Sequence, residues 1–216
     1  MPSAADLRHD SALPSAEGRL VSLSSAIAGG EAASIAAGAE EAVRDGASPR
    51  ALYETVLQSY LFLGFPRAIE AFFAVGPLLE RQGAVPPAAA ATDPEAWLLA
   101  GEALCKKVYG RNYDRLVKTL SGLSPDLASW MLLEGYGKTL SRPGLSVTAR
   151  EYCVVAILTT TRMWRQLRSH AIGAINVGGT RAGVRRSIEL CEPMAGADTV
   201  REALRVAGLE NQDARG

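Results

Sequence analysis

The order of apolar and polar positions divides the chain into helical stretches separated by sharp breaks. Residues 1–17 mix Ala, Ser and Pro with charges and carry no apolar period, which predicts a disordered tail. A second aperiodic stretch contains Pro86-Pro87 followed by four alanines and predicts a linker over 82–92. Between these breaks, Ser48-Pro49, Asp93-Pro94 and Ser124-Pro125 each set a side-chain acceptor before a proline at the first helical position. Thr148-Ala149-Arg150-Glu151 has the Thr-x-x-Glu spacing of a capping box. Helices are therefore predicted to begin near Ser48, Asp93, Ser124 and Thr148. Gly64, Gly110 and Gly178 follow apolar-periodic runs, where a left-handed residue would end a helix. From Tyr152 to Leu158 the chain is apolar on every side, which predicts the most buried helix of the protein.

The pattern also repeats. Gly46-Ala47-Ser48 and Leu63-Gly64-Phe65-Pro66 line up with Gly178-Gly179-Thr180 and Ala195-Gly196-Ala197-Asp198, at an offset of 132 in both places. Upstream, Arg19-Leu20-Val21 falls opposite Arg150 to Cys153 only with a one-residue slip. The organisation expected is a degenerate first helical repeat over 18–81 and a second unit over 93–216 whose core spans about 124–208. Residues 80–145 then form a long middle insertion.

Composition sharpens the fold class. Hydrophobic residues make up 48 % and aromatics 6 % of the chain, and alanine is abundant, which suits close-packed helices better than sheets. An all-α protein with no sheet of three or more strands is expected. Lys plus Arg equals Asp plus Glu at 23 each, so no basic field is available to attract nucleic acid or an anionic membrane, and a small molecule or a protein is the expected partner. Cys105, Cys153 and Cys191 form no Cys-x-x-Cys and no metal-like spacing, which points to a reducing, cytoplasmic setting and to neither a disulfide framework nor a metal site. Residues 1–10 lack a basic and an apolar region in series, and no later run reaches ~18 uninterrupted apolar residues, so neither secretion nor a membrane span is expected. No phosphate-binding glycine loop is present and no cofactor is expected.

Two stretches carry a family likeness. The first is Tyr60-Leu61-Phe62-Leu63-Gly64-Phe65-Pro66. The second runs through Glu134-Gly135-Tyr136-Gly137, Arg142-Pro143-Gly144-Leu145, Arg150-Glu151, and Gln166-Leu167-Arg168-Ser169-His170-Ala171-Ile172-Gly173-Ala174. Together they resemble the carboxymuconolactone decarboxylase and alkylhydroperoxidase D-like family, over roughly residues 19–80 and 110–205. The resemblance implies an alkylhydroperoxidase D-like helical fold with two related units in one chain. Single-unit relatives assemble as trimers or hexamers, so a two-unit chain is expected to form a homo-oligomer, with a trimer favoured. The peroxidase branch places a glutamate twelve residues before a Cys-x-x-Cys and a histidine four residues after the second cysteine. By position these fall on Glu151, Met163, Gln166 and His170, so both thiols are absent. In the first repeat the same positions are Arg19, Glu31, Ser34 and Gly38, and none of the four groups is present.

Glu151 and His170 stand 19 positions apart, which one straight helix would stretch to ~28 Å. Thr159-Thr160-Thr161 is a poor helix interior, and a reversal there would fold two antiparallel arms and let the two side chains meet beside a pocket. On the second arm Met163, Leu167, His170 and Ala174 form one helical stripe with Gln166 beside it, so His170 faces inward and Arg168 away. Such an imidazole and carboxylate can move a proton near neutral pH. The plainer alternative is that Glu151 only closes a capping box and His170 is a hydrogen-bonded core residue. Tyr60, with Met163 and Gln166, is the candidate pocket set. Cys153 and Cys191 read as inert packing. Arg162, Arg165 and Arg168 read either as carboxylate binders or as a solvated face, and Tyr53, Tyr60, Phe62, Phe65, Phe72 and Phe73 as a pocket wall or as core and interface.

The residues leave three functions open. One is a cofactor-free decarboxylase or lactone-processing enzyme that uses His170 with Glu151 on a small carboxylated or lactone-like molecule. Another is a non-catalytic oligomeric or ligand-binding relative. The third, an alkylhydroperoxidase-type peroxidase, lacks its resolving cysteine pair.

Overall fold

The computed structural model describes residues 13–83 and 92–210. The linker expected over 82–92 lies almost wholly outside the described residues, as does the tail up to residue 12. All regular structure among the described residues is helical. The first unit comprises α1 (Ser15–Gly29), α2 (Ala32–Arg44), α3 (Pro49–Gln58) and α4 (Tyr60–Arg81). A middle segment follows: α5 (Pro94–Tyr109), a short 3₁₀ turn (Gly110–Asn112), α6 (Tyr113–Leu123), α7 (Pro125–Trp130) and a π-helix (Met131–Leu140). The second unit comprises α8 (Val147–Thr160), α9 (Trp164–Asn176), α10 (Arg181–Glu189), the single turn α11 (Glu192–Ala195) and α12 (Ala197–Val206). The tail expected through residue 17 ends earlier, because Ser15-Ala16-Glu17 already forms the first turn of α1 behind Pro14.

The chain is duplicated, and the offset of 132 holds without any slip. α2 and α9 correspond end to end, α1 and α8 begin 132 positions apart, and so do α3 and α10. Gly64 (φ 78°, ψ 166°) and Gly196 (φ 81°, ψ 154°) occupy the same extended, positive-φ conformation, which a side chain would strain, and each precedes the last helix of its unit. The pairs Leu23 and Val155, Ile35 and Leu167, Leu52 and Val184, Val56 and Ile188 are all fully buried. The slip expected upstream came from matching identities, whereas the duplication is kept in burial.

Most helix starts follow their caps. Ser48, Asp93 and Ser124 each accept a backbone N–H three residues on, at 3.0–3.2 Å. Gly110 caps α5 and Gly178 follows α9, both at positive φ. Gly64 only breaks α4, which resumes beyond it. The Thr148 cap is corrected. Ser146 caps α8, accepting from Ala149 N at 3.1 Å, while Thr148 Oγ1 donates to the Val177 carbonyl at 2.9 Å. Glu151 is thereby freed from the first turn and sits in the buried part of α8, where every residue from Ala149 to Thr159 is buried.

The largest core joins α1, α2, α8 and α9 around Leu23, Ile27, Ile35, Val155 and Leu167. α4 is long and apolar enough, by length and composition, to cross a membrane, with mean hydropathy 1.4. It is broken at Gly64 and buries Ala68, Ala71 and Val75 against the first unit. The middle segment has its own core of Leu104, Cys105, Val108, Leu132, Tyr136 and Leu140. There α5 and the π-helix touch backbone to backbone, since a Cβ on Gly101 would lie 1.9 Å from the Leu132 carbonyl oxygen and one on Gly137 1.9 Å from that of Trp97.

A buried ion cluster ties the parts together. Glu54 of α3, fully buried, receives Arg150 of α8 at 3.0 Å, Arg142 after the π-helix at 3.1 Å and Arg50 at 2.8 Å. Arg150 also donates to Gln58 Oε1 and to the Arg142 carbonyl.

Candidate functional site

α8 and α9 are antiparallel arms. Their reversal occupies Thr161 to Met163, with Arg162 at φ 58°, and so begins at the last residue of the threonine run that the sequence pointed to. Thr160 and Thr161 remain within the α8 ladder by returning their hydroxyls to the carbonyls of Ala156 and Ile157. The turn brings Glu151 and His170 to the same depth, and His170 Nδ1 lies 2.9 Å from Glu151 Oε2. Both side chains are buried, His170 6 % and Glu151 2 % exposed. Against a carboxylate, which only accepts, Nδ1 is the donor in this contact, the tautomer that leaves Nε2 with its lone pair.

The walls around the pair come from two other parts of the chain. Phe62 of α4 meets the imidazole edge-on at 5.7 Å, and Tyr109 at the end of α5 does so at 6.4 Å. Tyr136 of the π-helix stands 6.2 Å from Tyr109. Cys105, one turn before Tyr109 on α5, is fully buried, and burial together with the Glu151 charge pushes its thiol up to about 12. Burial likewise pushes the Tyr109 phenol up to about 12, with the Glu151 charge adding to it. Neither group is poised to ionise near neutral pH.

Close contact between the arms depends on Gly173. A Cβ there would lie 2.6 Å from Val108 Cγ1 and 3.0 Å from Glu151 Oε2. Gly173→Ala gains ~1 kcal/mol of helix propensity but forces α5 or the Glu151 carboxylate aside, an overpacking cost of ~1–3 kcal/mol. The expected outcome is a lower melting temperature together with a displaced dyad, read by thermal denaturation and by activity in the same variant. Unchanged stability and activity would contradict this packing.

The other sequence candidates separate from the pair. Met163 is 51 % exposed, because it precedes the first turn of α9, where helical spacing no longer aims a side chain inward. Gln166 is also exposed, on the flank of α9 nearer the reversal. Leu167, His170 and Ala174 keep the inward stripe, and Arg168 points to solvent as expected. The Tyr60 hydroxyl donates to Glu134 Oε1 at 3.2 Å and lies 2.7 Å from Thr139 Oγ1, bracing α4 against the π-helix. Phe62, two residues further round the same turn, is the one that reaches His170. Of the remaining aromatics, Tyr53 packs on Phe72 at 5.3 Å, while Phe65 and Phe73 are exposed. Tyr109 and Cys105 escaped the sequence reading, since α5 lies outside the motif segments. Tyr136 was within them but unassigned.

A cavity of about 650 Å³ opens beside α9, and Val108 and Tyr109 are among its lining residues. All three cysteines are free and buried. Burial pushes the Cys153 thiol up to about 11 and the Cys191 thiol up to about 12. Among the described residues no three His, Cys, Asp or Glu side chains cluster as a metal set.

The sequence model of the carboxymuconolactone decarboxylase family matches residues 3–76 and 125–208, which together are well over half of the chain. The first stretch reaches into α4 of the first unit, the second covers α7, the π-helix and the second unit, and the unmatched part between them includes α5 and α6. The chain is also similar to Peroxisomal protein 2 of Schizosaccharomyces pombe, with 31 % identity over 140 residues, or 62 % of this chain and 63 % of that protein. It thus spans somewhat less than two thirds of the length of that curated relative.

Proposed function

The chain belongs to the carboxymuconolactone decarboxylase family, and on that footing we propose that it is a cofactor-free acid–base enzyme acting on a small carboxylated, lactone-like molecule. The observation that carries the proposal is the 2.9 Å contact between buried His170 and Glu151, with Ser146 and not Glu151 serving the helix cap. Glu151 holds the imidazole in one tautomer and stabilises the imidazolium when it forms. In a decarboxylation the bond to the carboxylate carbon breaks and carbon dioxide leaves. The electron pair stays on the former α-carbon, delocalised toward the lactone carbonyl, and is protonated there from Nε2–H of the His170 imidazolium, which first takes that proton from solvent and returns to the Nδ1–H tautomer on giving it up. Solvent then restores the proton. Three buried thiols held above the neutral range support a mechanism without a cysteine nucleophile.

A carboxylated γ-lactone incubated with the protein in heavy water provides the test, with the product followed by NMR. The proposal expects carbon dioxide release with one solvent deuteron at the carbon that lost it. Cys153→Ala and Cys191→Ala should keep the rate within a few-fold of wild type. Loss of activity in either thiol variant while its fold persists, or no turnover of any carboxylated lactone, counts against it.

The proposal includes self-association, with a trimer first. Phe65, Ile69 and Phe73 form an apolar stripe on α4 that is 49–73 % exposed, even with Phe65 stacked on Tyr60 at 5.2 Å. It also includes residence in a reducing compartment such as the cytoplasm, supported by the three free thiols. The name of the Schizosaccharomyces pombe relative is a peroxisomal one.

A further inference from the structure

We infer that the cavity between α6 and α9 is a binding site for a small organic anion of two or more charges with an apolar body, a reading that rests on the proposed chemistry of the neighbouring dyad. Arg165 and Arg168 enter the cavity from α9 and Arg115 from α6, and no carboxylate is among its lining residues. The chain as a whole is neutral, so three cations around one cavity are a local excess and not general basicity. Among the described residues Arg115 makes one side-chain hydrogen bond, to the neutral Asn112 Oδ1 at 2.9 Å, and no ion pair. Ser169 and Thr119 add hydroxyl donors, and Leu116 and Ile172 give the same cavity an apolar floor. Guanidinium forks with hydroxyl donors over an apolar surface match a carboxylate or phosphate on a hydrocarbon frame.

The position of the cavity gives the anion a purpose. Tyr109 lines it on one side and faces the His170 ring at 6.4 Å on the other, so a bound molecule would be held one aromatic ring away from the dyad. Six of the ten lining residues, Arg115, Asn112 and Tyr109 among them, belong to the segment that the family match skips. The anion grip is therefore an addition made by this chain's middle segment to a site whose acid–base pair lies in the second unit.

Isothermal titration with phthalate, phenyl phosphate and neutral dimethyl phthalate tests the inference on the full chain. Phthalate, phenyl phosphate or both should bind, dimethyl phthalate should not, and which of the two anions binds tighter identifies carboxylate or phosphate as the preferred group. The three arginines are exposed, so Arg115→Gln and the double variant Arg165→Gln, Arg168→Gln should fold normally, which circular dichroism checks. Loss of a charged hydrogen-bond partner should weaken anion binding about ten- to a hundredfold. His170→Gln should bind the anions as wild type does, which separates this site from the catalytic reading: binding that persists while turnover is absent sinks only the latter. Equal binding of the neutral diester, unchanged anion affinity in both arginine variants, or no binding of either anion would overturn the inference.

Discussion

His170→Gln is expected to lower the rate of carbon dioxide release by about 10²- to 10⁴-fold while leaving the melting temperature close to that of wild type. Glutamine fills much of the imidazole volume, and its amide N–H can still donate to Glu151 Oε2, so no buried carboxylate is left without a partner at a site only 6 % exposed. What it cannot do is take up and return a proton. Glu151→Gln should cost activity as well, but less, because the base survives and only its tautomer and the charge that stabilises its imidazolium are lost. Rates from both variants, set beside their thermal melts, separate chemistry from folding. A His170→Gln protein that is folded and fully active would leave the dyad with a purely structural role.

Glu54→Gln carries the largest expected effect on stability, about 3–5 kcal/mol of destabilisation measured by chemical denaturation. Arg150 is 1 % exposed and Glu54, at 3.0 Å, is its only carboxylate partner among the described residues, so the variant leaves a guanidinium inside the protein without that counter-charge. Burial alone would raise the Glu54 carboxyl, but hydrogen bonds and charge from Arg142 and Arg150 outweigh it and hold the group below its usual value. A carboxylate whose folded pKa lies below its unfolded one stabilises the fold fully above the unfolded value, near ~4.3, and loses that contribution as pH falls through the folded value. The gap in stability between wild type and Glu54→Gln should therefore be widest near neutrality and shrink below about pH 4. A gap that stays constant with pH would mean that the carboxylate charge does not contribute.

Much of the helical frame was legible in the chain because its signals are local. Ser48, Asp93 and Ser124 cap helices from their own positions, and the buried run of α8 needs no partner to be recognised. The choice between Ser146 and Thr148 as the α8 cap was not local. It is decided by the Val177 carbonyl, 29 residues on, which takes the Thr148 hydroxyl. The Glu151–His170 pairing was readable because a helical reversal converts a spacing along the chain into a common depth. Tyr109 and Phe62 were not, since each reaches the imidazole from another part of the fold. Glu54 looked like any charge at helical spacing, and only packing three arginines around it makes it central. The π-helix that presents Tyr136 likewise has no simple apolar period to announce it.

The proposed chemistry at His170 turns on one proton. The chain has two histidines, so ¹⁵N-imidazole NMR of uniformly labelled protein can assign His170 by comparison with His170→Gln. The predicted result is a His170 ring protonated at Nδ1 and bare at Nε2 in the neutral form, with an Nδ1–H resonance slowed in its exchange with solvent and lost from that position in Glu151→Gln. A ring protonated at Nε2, or an Nδ1–H signal that the Glu151→Gln substitution does not disturb, would contradict it.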